Sequence, residues 1–206
     1  MKRPIEGKFI VLEGADFCGK TTQLRLLLEY LLNHPKDRDR LISVLATREP
    51  SNTEHTLKIR EMLSKMPDAK KLSELFLLDR VQHLKTQIEP ALSQGVIVVC
   101  DRYMYSLVYQ VVKGVDFDEL IERHKGLRVP DLVLVLSAPA SVRLERARGK
   151  GKDVFDKDVI LQEKLDEAYE QIQKKLSHPF KKIDASQSIS ATQEDIRRAV
   201  DDILGL

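Results

Sequence analysis

Residues Phe9 to Gln23, FIVLEGADFCGKTTQ, constrain the fold more tightly than any other stretch of the chain. The apolar run Phe9-Ile10-Val11-Leu12 breaks at Gly14, and Gly14, Gly19, Lys20 and Thr21 then fall into the spacing of a P-loop, ahead of a leucine-rich helical pattern from Leu24. Gly14 and Gly19 allow positive φ and leave no side chain in the way, so successive backbone N–H groups can turn inward around phosphate oxygens. The helix opening near Lys20 aims its unpaired N–H groups and positive dipole end at the same anion, Lys20 can reach terminal phosphates, and the Thr21 hydroxyl can ligate Mg²⁺. The phosphate-binding candidates are Gly14, Ala15, Asp16, Phe17, Cys18, Gly19, Lys20, Thr21 and Thr22. A glycine-rich turn that binds nothing is the bland alternative, and the strand before and helix after weigh against it.

At 206 residues one domain spanning 1–206 is the simplest expectation, long enough to bury about 70% of its unfolded surface without metal or disulfide staples. Lys plus Arg nearly equals Asp plus Glu, for a formal charge of +2, so no global field argues for nucleic acid or an anionic membrane as partner. Any basic site must be local. Cys18 and Cys100 show no ligand spacing and are read as free thiols in a reducing compartment. The apolar run near the N-terminus is too brief for a signal peptide and no stretch approaches membrane-spanning length, so a soluble, cytoplasmic protein is expected.

Short apolar runs alternate with longer helical patterns. Strands are expected at Lys8–Leu12, Leu41–Ala46, Val96–Cys100, Leu132–Leu136 and Lys181–Asp184, with Val, Ile and Leu on successive positions as in strands buried on both faces. Helices are expected at Lys20–Leu32, Thr53–Lys65, Lys71–Ser93, Tyr103–Lys113, Asp116–His124, Ala140–Arg148, Val159–Ser177 and Ala191–Leu204, the last capped by Ser190. The fold class is α/β: a doubly wound five-stranded parallel sheet. In that architecture ligands collect beyond the carboxyl ends of the strands.

Those ends carry the P-loop, Thr47-Arg48-Glu49-Pro50, Asp101-Arg102-Tyr103, a route into the basic run Arg143–Lys152, and Ala185-Ser186-Gln187. Asp101 stands where a carboxylate can hold Mg²⁺ directly or through water, or can cap a helix starting near Tyr103. Arg48 and Arg102 supply planar forks for a second phosphate, distinct from the one held by the loop, which points to a phosphorylated acceptor. The charged run Lys36–Arg40 reads as a solvated loop, and the five histidines need only surface or dipole explanations.

Six segments taken together in order, LEGADFCGKTTQ (Leu12–Gln23), TREP (Thr47–Pro50), FLLDR (Phe76–Arg80), DRYMYS (Asp101–Ser106), PDLVLVL (Pro130–Leu136) and IDASQSISATQEDI (Ile183–Ile196), resemble the thymidylate kinase family over nearly the whole chain. The resemblance implies a P-loop NTPase fold with a mobile lid near 146–156, and a Mg²⁺-dependent homodimer that transfers the ATP γ-phosphoryl group to dTMP. It assigns Phe76 to stacking on thymine and Arg80, one turn later, to a thymine carbonyl. Read alone, these two fit a core phenylalanine and a surface arginine. It further assigns Arg48 and Arg102 to the dTMP phosphate, and Asp16 to the acceptor sugar and the metal. Tyr109, or else Tyr105, packs under the deoxyribose beside Ser106; Arg148 meets ATP from the lid, and Ala185 and Ser186 line the adenine. The catalytic set is Lys20, Arg102, Arg148 and Asp16, and the metal set Thr21 and Asp101.

Three departures from the family pattern bear on the site. Phe17 stands where some relatives carry an arginine, so a transition-state cation must come from the lid, with Arg148 first and Lys150 or Lys152 second. Val154 replaces a further lid arginine, ahead of Phe155 and Asp156, and Ser51-Asn52 replaces a Gly-Gly pair beside the acceptor pocket. Two other functions compete: a kinase for another nucleoside monophosphate or a deoxynucleoside, and a P-loop binding module without transfer activity. The paired arginines argue against an uncharged acceptor, which would leave them unpaired.

Overall fold

Unbroken aliphatic runs bury well only between two layers, and the three central strands do so, whereas the two edge strands, expected to be buried on both faces, are partly exposed. The computed structural model describes residues 6–34, 42–65, 68–148 and 159–206. In chain order these form β1 (Phe9–Glu13), α1 (Lys20–Leu32), β2 (Val44–Arg48), α2 (Glu54–Leu63), α3 (Ala69–His83), α4 (Glu89–Ser93), β3 (Ile97–Asp101), α5 (Val108–Val111), α6 (Phe117–Arg123), β4 (Leu132–Ser137), α7 (Ala140–Ala147), α8 (Val159–Lys175), β5 (Phe180–Asp184) and α9 (Ile189–Leu204). The strands lie in the order β2-β3-β1-β4-β5 and every pairing is parallel. The expected doubly wound sheet is therefore present. The chain moves to opposite sides of β1 when it enters β3 and β4, which opens a crevice beyond the carboxyl ends of β1 and β3.

Because side chains alternate across a strand, each strand feeds two cores. Phe9, Val11, Val98, Cys100, Val133 and Val135 face one layer, where Leu165, Tyr169 and Ile172 of α8 pack with Tyr103 and Tyr105. Ile10, Leu12, Ile97, Val99, Leu134 and Leu136 face the other, closed by Leu27 and Leu31 of α1 and Ile196 and Val200 of α9. Cys100 and Cys18 belong to opposite layers, and both are free thiols.

Several boundaries differ from expectation, each for a local reason. β2 runs to Arg48 because its pairing with β3 continues to Arg48↔Asp101, which places Thr47 and Arg48 inside the strand rather than after it. The long helix expected over 71–93 is interrupted at Leu84–Ile88 by a π turn, with the Glu89 N–H reaching back to the Leu84 carbonyl. Pro90 follows at once, and a residue without an N–H is accommodated where the hydrogen-bond ladder already shifts. After β3 the expected helix is a 3₁₀ turn, Met104–Leu107, followed by the single turn of α5. Ser188 rather than Ser190 caps α9, accepting from the Ala191 N–H. Thr53 and Asp116 prove to be caps of α2 and α6 rather than their first residues.

Candidate active site

Gly14 has φ 135°, and a Cβ there would lie 2.3 Å from the Leu136 carbonyl oxygen and 2.9 Å from Cys18 Sγ. Only glycine lets the loop leave β1 so close to β4. Gly19, at φ 96°, forms the N-cap of α1 without a side-chain cap, and no acidic residue occupies the first turn. The opening N–H groups of α1 thus face the crevice with their positive dipole end, where an anion is favoured. Lys20 is buried and folds back over the loop, donating to the Gly14 and Ala15 carbonyls at 2.9 Å each. Thr21 and Thr22 are exposed at the helix mouth.

Arg102 crosses the crevice from the end of β3. Its Nη2 meets Asp16 Oδ1 at 2.5 Å and the Tyr109 hydroxyl at 3.3 Å; its Nη1 meets the Gly14 carbonyl at 3.4 Å and Ser106 Oγ at 3.3 Å. Tyr109 donates to Asp16 Oδ2 at 3.1 Å, and its ring lies under the guanidinium, 5.1 Å from centroid to Cζ. Burial pushes the Asp16 carboxyl up, but Arg102 and then Lys20 outweigh it and hold the group below the usual carboxylate range. Asp16, Arg102, Ser106 and Tyr109 are thereby one cluster. Tyr105 is not part of it: the ring is buried in the aromatic layer and its hydroxyl pairs with His178 Nδ1 at 2.8 Å. Arg48 is exposed beside Asp101, with Nη2 to Oδ2 at 3.8 Å.

Asp101 caps nothing; the turn after it starts without a side-chain cap. Its Oδ1 is buried with no hydrogen-bond partner, an orphaned acceptor at the strand end. Among the described residues no three His, Cys, Asp or Glu side chains converge as a metal cage. That donor set, one carboxylate and the Thr21 hydroxyl, fits an ion that keeps most of its shell from water and phosphates, as Mg²⁺ does.

Arg80 departs most from the surface role its sequence suggests. It is buried, its Nε donating to Glu49 Oε2 at 2.7 Å, Nη1 to His124 Nε2 at 2.6 Å, and Nη2 to the Tyr103 carbonyl at 3.1 Å. His124 Nδ1 lies 2.7 Å from the Leu120 carbonyl, which requires the proton on Nδ1 and leaves Nε2 to accept. Burial and then the Arg80 charge lower the His124 pKa to about 4, so this imidazole stays neutral. His83 joins the same support, with Nδ1 at 3.3 Å from Glu49 Oε1 and Nε2 at 2.7 Å from Thr47 Oγ1. Phe76, half-buried, sits one turn before Arg80 on α3. Ser51, part of the family departure beside the acceptor pocket, is buried where Asp79 accepts from its N–H at 2.8 Å and its hydroxyl at 3.1 Å. The histidines thus have structural work that no local sequence signal announces.

On the other flank, the basic run splits. Arg143 is buried in a bidentate pair with Asp166 at 2.7 and 2.8 Å, clamping α7 to α8, and so does not belong to the ligand edge. Arg146, which sequence reasoning left unassigned, donates to the Ala185 carbonyl at 2.8 Å and the Phe17 carbonyl at 3.5 Å, joining the P-loop to the loop after β5. Arg148 is exposed at the end of α7, Ala185 is buried, and Ser186 is exposed, its hydroxyl donating to Asp184 at 2.6 Å. Lys150, Lys152, Val154, Phe155 and Asp156 lie outside the described residues, as does the run 36–40.

The thymidylate kinase family model matches residues 12–196. A probable thymidylate kinase of Pyrococcus abyssi is 38% identical over 216 residues, covering 98% of this chain and all of that protein. The chain belongs to the thymidylate kinase family. A thymidylate kinase of Desulfotalea psychrophila is 36% identical over 208 residues, covering 96% of both chains. One of Caldicellulosiruptor saccharolyticus is 35% identical over 216 residues, covering 97% of this chain and 98% of that protein.

Proposed function

We propose that the chain is a dTMP kinase, transferring the γ-phosphoryl group of ATP to dTMP to give dTDP and ADP. The observation that carries this reading is Arg102 at the mouth of the P-loop, within 3.4 Å of the Gly14 carbonyl and aimed into the crevice from the opposite strand. A donor phosphate on the loop and an acceptor phosphate on Arg102 would face each other there. An oxygen of the dTMP phosphate forms the new bond to the γ-phosphorus as the bond to the β–γ bridging oxygen breaks and ADP leaves with its electrons. The acceptor is already an anion, so no proton must be removed and no general base is required. Such transfer passes through a loose transition state, and the protein contributes alignment and positive charge.

In this reading Lys20 and the α1 N–H groups hold the β- and γ-phosphates, Arg48 and Arg102 hold the acceptor phosphate, and Asp16 and Tyr109 meet its sugar. Phe76 stacks on the base and Arg80, fixed by Glu49 and His124, reads a base carbonyl with an N–H those partners leave unused. Arg146 and Ala185 border the adenine, and Arg148 approaches the triphosphate from the end of α7. Thr21 and Asp101 would hold Mg²⁺, which neutralises phosphate charge during transfer. A homodimer is also proposed. α2 and α3 leave Leu57, Leu78 and Val81 exposed, an apolar surface that a second copy would cover. The free thiols and the lack, among the described residues, of a helix long and apolar enough to cross a membrane are consistent with a cytoplasmic setting.

The test is ADP release with ATP and Mg²⁺ against dTMP, dUMP, UMP, CMP and thymidine. dTMP should give the highest kcat/KM, and a UMP rate equal to it would end the specific reading. Arg102→Ala should cripple turnover while ATP binding is retained; unchanged turnover would remove Arg102 from the acceptor site.

A further inference from the structure

Glu13 ends β1 between two paired strands and is fully buried, an expensive place for a carboxyl group. It accepts three hydrogen bonds from two segments, the turn after β3 and α8: the Tyr103 N–H at 2.7 Å on Oε1, and Ser106 Oγ at 2.9 Å and the Tyr169 hydroxyl at 3.0 Å on Oε2. Two of these lead to Arg102. Arg102 has φ 73°, a left-handed conformation that costs a non-glycine residue about 1 kcal/mol or more. The kink is pinned on both sides, by the Arg102 N–H on the Leu12 carbonyl at 2.9 Å and by the next N–H, that of Tyr103, on Glu13. The second route is through the side chain, because Ser106, held by Glu13, is also within 3.3 Å of Arg102 Nη1.

Arg102 thus has two kinds of support. Asp16 touches it directly from the open side of the crevice, with a side chain 43% exposed, while Glu13 works from beneath with none of its surface exposed. When the sugar and phosphate of an acceptor take up Asp16 and Nη2, only the lower support keeps the same geometry. We propose that Glu13 is a positioning residue for the acceptor: it fixes the left-handed turn at Arg102 and, through Ser106, the orientation of the guanidinium. Tyr169 hangs α8 on the same carboxylate, so the helix and the turn share one reference point. This inference rests on Arg102 as the acceptor-phosphate ligand.

The experiment is steady-state kinetics with ATP and dTMP on Glu13→Gln, Ser106→Ala, Arg102→Ala, and the pairs Glu13→Gln/Ser106→Ala and Glu13→Gln/Arg102→Ala, with rates normalised to folded protein. Glu13→Gln should lower kcat/KM for dTMP about tenfold to a hundredfold, the scale of a small misplacement, with KM for ATP within about twofold of the parent. Adding Ser106→Ala should cost much less than its effect alone, and Glu13→Gln should cost nothing further once Arg102 is absent. A Glu13→Gln loss that persists undiminished in the Arg102→Ala background overturns the proposal, as does a parental kcat/KM in both Glu13→Gln and Ser106→Ala. Should Glu13→Gln fail to fold, the Ser106→Ala/Arg102→Ala pair makes the same comparison. If Arg102→Ala alone keeps parental turnover, the acceptor role of Arg102 is what has failed; if it cripples turnover while Glu13→Gln and Ser106→Ala do not, the positioning role has failed.

Discussion

The two layers against the sheet are built from different materials. Among the described residues, the layer under α1 and α9 has no buried aromatic ring among its core side chains, and its strand contributions are aliphatic. The layer under α8 buries Tyr103, Tyr105 and Tyr169, each with a hydroxyl that must find a partner: the Arg128 carbonyl, His178 and Glu13, respectively. The dry layer carries the P-loop, the proposed donor side, at the mouth of α1. The wet one carries the Arg102 cluster, the proposed acceptor side, on hydrogen bonds. Non-directional packing suffices to place a helix mouth, whereas aiming a guanidinium needs directional contacts with a fixed proton inventory.

The largest effect expected is at the donor side. Lys20→Ala should reduce kcat by about 10²-fold to 10³-fold, the usual cost of removing one charge-stabilising donor, while leaving dTMP binding intact by calorimetry; loss of dTMP binding would mean the two halves are not separable. Next is the dry layer itself. Leu27→Ala should lower unfolding free energy by about 3 kcal/mol in urea with kcat per folded molecule unchanged, and a proportional fall in kcat would show that the aliphatic packing also tunes the chemistry.

The wet layer should respond to acid where the dry one does not. His124 is held at a pKa of about 4 in the fold, below the 6.5 of an ordinary imidazole, so its neutral form stabilises fully above the unfolded value. That stabilisation is lost as pH falls toward 4, by about 2 kcal/mol at pH 4.5. Urea midpoints at pH 7 and pH 4.5 should converge in His124→Gln relative to the parent; an unaltered pH slope would show that His124 is already charged or exposed. The smallest effect is expected from Tyr105→Phe, about 1 kcal/mol of stability for one lost hydrogen bond, with no change in KM for dTMP. A raised KM would return Tyr105 to the acceptor site from which its burial removes it.

The dry layer was far more legible in the sequence than the wet one. Strand periodicity and glycine spacing placed β1, the P-loop and α1, because a buried parallel strand and a phosphate loop leave local signatures. The positive φ of Gly14 and Gly19 could be read from spacing alone. Arg80 could not: its burial depends on Glu49, His124 and the Tyr103 carbonyl, which lie far apart in sequence and meet only in three dimensions. Glu13 carries a local signal of its own, a carboxylate at a core-facing strand position just before the loop glycine. Arg143 and Arg146 show the opposite failure. Three residues apart in one basic run, they point to different tasks, and only α8 and the loop after β5 tell them apart.

The pairs Arg102–Asp16 and Arg48–Asp101 also bear on how binding should depend on ionic strength. Each arginine that would greet the acceptor phosphate already faces a carboxylate. Added salt weakens those internal pairs as well as the new contact to phosphate, and the two effects oppose each other. Affinity for the acceptor should therefore fall less steeply with salt than two cations alone would suggest, and inorganic anions should compete poorly for an empty crevice.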